Sequence, residues 1–197
     1  MPVFVSFEGI DGSGKTTQAH MLASTLERYG GDVVLTREPG GTLLGEQVRE
    51  LVLHGDHVAP WAEAALYAAA RAQHVDQLIR PALGRGATVV CDRYLDSSVA
   101  YQGGGRGLGL ETVLELNLTV VGGLVPDRTF LVEVRAETAA ARVGATGDRI
   151  ERDGIALWSR VASAYRELAE RFPERYVVLD GEREVDAIAG EVLDHLR

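Results

Sequence analysis

Near the start of the chain, Gly9, Gly14, Lys15 and Thr16 stand in the order Gly-x4-Gly-Lys-Thr, inside the run Phe7-Glu8-Gly9-Ile10-Asp11-Gly12-Ser13-Gly14-Lys15-Thr16-Thr17. This is the full P-loop spacing, and the chemistry it serves is phosphate binding. Glycines let successive backbone N–H groups curl toward an anion where a Cβ would obstruct. A helix opening at Lys15 adds the positive end of its dipole. Lys15 can reach β- and γ-phosphates as a point charge, and Thr16 can offer its hydroxyl to Mg²⁺. The triphosphate site therefore spans Gly9, Ile10, Asp11, Gly12, Ser13, Gly14, Lys15, Thr16 and Thr17. Asp11 is the odd member, because phosphates would repel its carboxylate. It makes sense facing a sugar hydroxyl or sharing the metal.

A P-loop names a ligand but not a reaction. The chain has no Asn-Lys-x-Asp element of the kind guanine-binding switches carry, whereas arginines recur at strand ends and helix faces: Arg37, Arg49, Arg71, Arg93, Arg142, Arg149 and Arg152. Arginines that converge on developing phosphoryl charge are expected of a kinase. Arg93 carries the most weight, since it follows directly on a buried strand. Tyr67, Arg71 and His74, at i, i+4 and i+7, place a ring, a guanidinium and an imidazole on one helix face. Such a face can stack a base and read its carbonyl edge; it is equally the polar boundary of an amphipathic helix. His74 reads as a satisfied structural histidine. Asp92 either stands near Mg²⁺ in the manner of a Walker-B acid or pairs with Arg93. Cys91, pointing to the other side of the strand, reads as core.

These groups need elements to hold them. Val3 to Phe7 reads as a buried strand and Lys15 to Tyr29 as its helix, with Leu22 and Leu26 four apart. Asp32 to Thr36, Thr88 to Asp92, Arg128 to Val134 and Tyr176 to Asp180 read as four further strands. Thr42 caps a helix to about His54, and Pro60 to Gly84 reads as one long helix. Residues 94–102 and 110–122 read as helices separated by the glycines at 103–107. A short helix ends near Gly144, another runs from about Glu151 to Phe172, and the last ends at Leu196. Five strands alternating with helices imply an α/β fold with a parallel sheet covered on both faces. Ligands then bind at the carboxyl ends of the strands, where the P-loop, Thr36-Arg37-Glu38 and Asp92-Arg93 all fall.

Bulk properties set the remaining bounds. The 197 residues suit a single domain, and no linker divides them. A formal charge of −9 argues against general nucleic-acid binding but leaves room for an anionic substrate in a cleft where arginines concentrate. The lone cysteine forms no internal disulfide, which fits a reducing cytoplasm. No apolar run is long enough to cross a bilayer.

The motifs together resemble the thymidylate kinase family, from the first strand to the last helix. Phe7 to Gln18 is similar to its P-loop, Thr36-Arg37-Glu38-Pro39-Gly40-Gly41-Thr42 to its second signature, Cys91 to Gly103 to its third, and Asp148-Arg149-Ile150-Glu151 to its lid. The resemblance implies a P-loop NTPase-type five-stranded domain over 1–197 with a short lid at about 142–152. It implies in-line transfer from ATP to dTMP with Mg²⁺, giving dTDP for dTTP synthesis, in a cytoplasmic homodimer that meets through the alanine-rich face of the 61–84 helix. By the same resemblance Lys15, Arg93 and Arg149 are catalytic, and Arg142 joins the ATP site. Asp11 holds the 3′-hydroxyl of dTMP, and Glu38, Pro39 and Arg49 line its pocket. Tyr67 stacks on thymine where the family usually has phenylalanine, and Arg71 reaches the thymine O4. Ser97, Ser98 and Gln102 lie along the nucleotide, and Tyr101 crowds C2′ against a ribose. Thr16 and Asp92 hold the metal. The lid stretch Val143-Gly144-Ala145-Thr146-Gly147 is shorter and less charged than in many relatives. Two other readings remain: a kinase for another nucleoside monophosphate or a deoxynucleoside, and an ATP-binding switch.

Overall fold

Five short runs rich in β-branched and aromatic residues form one sheet in this computed structural model, which describes residues 3–143 and 154–196. They are β1 (Phe4–Glu8), β2 (Val33–Arg37), β3 (Thr88–Asp92), β4 (Arg128–Glu133) and β5 (Tyr176–Asp180), ordered β2-β3-β1-β4-β5 and parallel throughout. Between them run α1 (Lys15–Arg28), α2 (Leu43–His54), α3 (Pro60–His74), α4 (Arg80–Gly84), α5 (Leu95–Ser98), α6 (Leu110–Val120), α7 (Ala136–Val143), α8 (Gly154–Arg171) and α9 (Val185–Asp194). The strands fall where the sequence puts them. Strand order reverses beside β1 and β3, so a crevice opens at their carboxyl ends.

The sheet has a core on each face. Val5, Phe7, Val90 and Phe130 pack on Ala19, Leu22, Ile188 and Val192 of α1 and α9. Phe4, Val89, Cys91 and Leu131 pack on the other side with Ile79, Leu95, Val113, Val161 and Leu168. Each large apolar side chain so buried stabilises the fold by about 1.5–3 kcal/mol. Alternation along β3 sends Cys91 into one core and turns Asp92 toward α1, as its pattern predicts.

Two helical stretches depart from expectation. The 60–84 helix is not uniform, for it widens to π-helical turns over Val75–Ile79 between α3 and α4. Pro81 explains this: it donates no N–H, and its ring would clash with the carbonyl four residues back. The glycines after Gln102 are not all a linker either. Gly103 to Gly105 belong to a π-helical segment, Val99–Gly105, that continues α5. A Cβ on Gly104 would stand 2.6 Å from the Ala164 Cβ, and one on Gly105 2.7 Å from Leu157 Cδ1. These glycines let α8 approach closely enough to reach the crevice.

On the face toward α5 and α8, β1 presents polar residues among apolar ones. Ser6 bonds Thr129, whose hydroxyl accepts from Arg175, and Arg175 meets Asp96 through two hydrogen bonds of 2.7 Å. Asp96 is fully buried. Removing one partner of such a pair leaves an uncompensated charge. Asp96→Ala should therefore lose about 3–5 kcal/mol in urea denaturation. A loss below about 1 kcal/mol, the scale of an exposed pair, would show that water already screens Arg175.

Candidate functional site

The turn after β1 is shaped by glycine where it must be: Gly9, Gly12 and Gly14 have φ of 142°, 78° and 97°. At Gly12 a Cβ would also stand 2.5 Å from the Ala139 carbonyl. Gly14 caps α1 without a side-chain hydrogen bond, and no acidic residue occupies the first turn. The amide groups of Lys15, Thr16 and Thr17 are thus the open amino end of a helix, an anion site by construction. Lys15 is buried, its Nζ 3.4 Å from the Ile10 carbonyl and 3.5 Å from Asp11. Burial and the neighbouring Arg93 pull its pKa down. Arg142 on α7 donates to the Gly12, Ser13 and Gly181 carbonyls, bracing the loop from outside. Ile10 packs in the core below, and the buried Ser13 hydroxyl has no partner.

Thr16 donates to Asp92 Oδ2 at 2.5 Å, while Asp92 Oδ1 is buried with no partner. A hydroxyl beside a carboxylate with an uncommitted oxygen fits a small hard cation that completes its shell from phosphate and water. The described residues hold no cluster of three or more His, Cys, Asp or Glu suited to a metal by itself. The alternative pairing of Asp92 with Arg93 does not occur: Arg93 binds Asp11 instead.

Beside the P-loop lies a cleft of about 560 Å³ lined by Asp11, Glu38, Pro39, Arg49, Leu53, Tyr67, Arg71, Arg93, Ser97, Ser98, Tyr101 and Gln102. The structure thus brings all the acceptor-site expectations into one cavity and adds Leu53. Arg71 is buried, donating to Glu38 (2.6 Å), Ser98 (3.0 Å), Asn117 and the Tyr94 carbonyl (3.2 Å). Those bonds occupy four of the five N–H groups a guanidinium owns. Glu38 also meets His74 Nδ1 at 2.9 Å, and His74 Nε2 meets Thr36 at 2.8 Å. Both imidazole nitrogens are engaged, as a structural histidine requires. Arg49 donates to the Pro39 carbonyl, and Gln102 to Glu63.

Arg93 joins the two halves. It is the single non-glycine residue among those described with positive φ, at 71°, a conformation that costs about 1–2 kcal/mol. Its Nη1 donates to the Gly9 carbonyl (3.0 Å) and Ser97 (3.1 Å), and Nη2 to Asp11 (2.5 Å). Its guanidinium carbon lies 5.1 Å from the centre of the Tyr101 ring, whose hydroxyl donates to Asp11 at 2.8 Å. Burial disfavours the Asp11 charge, yet Arg93 and Lys15 hold its carboxyl well below the usual range. Arg149 and the proposed lid from 144 onward lie outside the described residues.

A family model described as thymidylate kinase matches residues 7–192. A thymidylate kinase of Exiguobacterium sp. is 47% identical over 98% of this chain and 93% of its own length. One of Pelotomaculum thermopropionicum is 49% identical over 97% and 94% respectively. The crystal structure of thymidylate kinase from Ehrlichia chaffeensis superposes with a TM-score of 0.84 at 36% identity, covering 99% of this chain and 98% of that one.

Sequence reasoning missed the groups that hold the arginines in place. Asn117 on α6 fixes Arg71, and Glu8 and Tyr165 stand behind Arg93. Of these, only Glu8 carried a signal, a carboxylate at the end of an otherwise apolar strand. Burial pushes its pKa from 4.5 up to about 7, with the nearby Asp96 adding to the rise. A carboxyl that ionises near 4.5 when unfolded and near 7 when folded contributes stability that is full below 4.5 and lost as pH rises through 7. Between pH 5 and pH 8 the wild type should therefore lose up to about 3 kcal/mol relative to Glu8→Gln. Urea denaturation at several pH values checks this, and parallel curves would mean that Glu8 is ionised throughout.

Proposed function

This chain belongs to the thymidylate kinase family, a family of phosphotransferases acting in nucleotide biosynthesis, and we propose that it phosphorylates dTMP from ATP through the residues assembled at the β1–β3 crevice. The observation that carries this reading is the continuity of the two sockets: Asp11 lines the acceptor cleft and lies 3.5 Å from Lys15, and Arg93 bonds both Asp11 and the P-loop carbonyl of Gly9.

The amides of the P-loop and Lys15 bind the donor phosphates. Thr16 and Asp92 would hold Mg²⁺, which would supply neutralisation of phosphate charge. Tyr67 forms the wall on which thymine stacks, and Arg71, with one N–H remaining, reads its edge. Arg49 and Arg93 bind the acceptor phosphate, and Arg93 orients it toward the donor. Glu38, Pro39, Ser97, Ser98 and Gln102 complete the pocket, with Asp11 and Tyr101 at the sugar. The acceptor phosphate is ionised at neutral pH, so alignment and charge stabilisation supply the catalysis without a strong base. Arg142 supports the ATP side, and Arg149 acts from a lid at about 142–152 of a single 1–197 domain. A cytoplasmic homodimer completes the proposal. The exposed Leu51 and Trp61, beside the exposed Ala62, Ala65 and Ala69 of α3, support a contact with a second copy there. Sedimentation should then give twice the chain mass.

The test is phosphorylation across dTMP, dUMP, dCMP, UMP and thymidine, with and without Mg²⁺. We expect dTMP to be preferred and turnover to need the cation. Equal use of UMP, or hydrolysis indifferent to any acceptor, would overturn the assignment. In the same assay Arg149→Ala should lower kcat by about 10³- to 10⁵-fold while dTMP binding stays close to wild type.

A further inference from the structure

Glu8 is a carboxylate with no direct part in the reaction above, yet it lies one residue before the P-loop and is fully buried. Its partners all sit around Arg93. Oε1 accepts from the Tyr94 amide at 2.7 Å, the first backbone donor after the left-handed residue. Oε2 accepts from the Ser97 hydroxyl at 2.6 Å and the Tyr165 phenol at 2.9 Å. Ser97 Oγ in turn receives Arg93 Nη1 at 3.1 Å, and the Tyr165 oxygen lies 3.5 Å from the same nitrogen.

The chain of bonds has a direction. An ionised carboxylate only accepts, so the protons of Ser97 and Tyr165 run toward Glu8, each directly or one through the other across their 2.9 Å contact. Their lone pairs are then left facing Arg93, a donor only. Glu8 thereby sets the polarity of both hydroxyls as well as their position. On the backbone side, the bond to the Tyr94 amide and the bond from the Arg93 amide to the Phe7 carbonyl (2.9 Å) grip the turn from both sides of its strained residue.

We propose that Glu8 is the positioning residue for Arg93, holding its backbone turn directly and its guanidinium through Ser97 and Tyr165, so that the arginine meets the acceptor phosphate already aligned. The proposal rests on the reading that Arg93 contacts the acceptor. Glu8→Gln keeps the size of the side chain but turns one acceptor into a donor, which reverses the hydroxyls.

The experiment measures, at pH 8, the affinity of the full chain for dTMP and separately for a non-hydrolysable ATP analogue with Mg²⁺. Glu8→Gln should weaken dTMP about tenfold and the ATP analogue less than twofold. Ser97→Ala, which leaves Glu8 in place and serves if Glu8→Gln does not fold, should weaken dTMP in the same selective way. In an Arg93→Lys background, which lacks the fork that Ser97 and Tyr165 hold, either change should alter dTMP affinity less than twofold. A purely structural Glu8 would lower both affinities together, or lower dTMP affinity equally in both backgrounds, and either result overturns the proposal. A parent protein that binds no dTMP overturns the functional reading and this role with it. A parent that binds dTMP while both variants stay within twofold of it overturns the positioning role alone.

Discussion

A guanidinium taken out of water keeps its charge, so the fold can close over it only where a carboxylate meets it. Three pairs among the described residues show this: Glu38 meets Arg71, Asp11 meets Arg93, and Asp96 meets Arg175. Each pair joins segments far apart in the chain. Glu38 follows β2 and Arg71 lies on α3, Asp11 belongs to the P-loop and Arg93 follows β3, and Asp96 on α5 reaches the residue just before β5. The first two pairs tie segments together at the carboxyl edge of the sheet, and the third ties α5 to the amino end of β5.

The same economy appears along the backbone. The segment Phe7-Glu8-Gly9 makes three contacts with the turn at Arg93: the Phe7 carbonyl takes the Arg93 amide, Glu8 takes the Tyr94 amide, and the Gly9 carbonyl takes the Arg93 side chain. The loop assigned to the donor and the arginine assigned to the acceptor are thus one hydrogen-bonded unit, not two loops free to drift apart. In-line transfer is sensitive to misplacement on the scale of an ångström. Fixing the relative position through strand ends and main-chain bonds meets that demand better than long side chains on mobile loops would.

What the sequence discloses of this arrangement is the part whose chemistry restricts residue type at fixed spacing. The P-loop glycines, Lys15 and Thr16 are legible because a turn of positive φ and the chemistry of phosphate binding restrict residue type at fixed spacing. The strands are legible from their β-branched runs, and the crevice follows from topology. Of the cleft residues, Glu38, Pro39, Arg93, Ser97, Ser98, Tyr101 and Gln102 fall in ordered motifs and Tyr67 and Arg71 on one helix face, whereas Leu53 gave no signal. What escapes is long-range and aperiodic. Asn117 and Tyr165 lie on amphipathic helices where a buried polar residue looks like any boundary position, and only folding reveals that they face arginines. Gly103 to Gly105 mislead for a different reason. Glycine signals a turn when its backbone freedom is needed, but here its small size is needed, for the approach of α8. Composition cannot tell the two uses apart.

Rigidity has a further consequence for selectivity. Arg71 has four of its five N–H groups bound by protein, so it offers a ligand one donor at a fixed angle, where a solvated arginine would offer a mobile fork. A base that presents a carbonyl along that direction is accepted without further ordering, and one that presents an amino group leaves a buried donor unmet. An unmet polar group in such a place costs about 1–3 kcal/mol, a discrimination of roughly ten- to a hundredfold. The part of the proposed specificity that separates a carbonyl-bearing base from an amino-bearing one therefore rests on the contacts that hold Arg71 still. Glu38, Ser98, Asn117 and the Tyr94 carbonyl, through their bonds to Arg71, are its source.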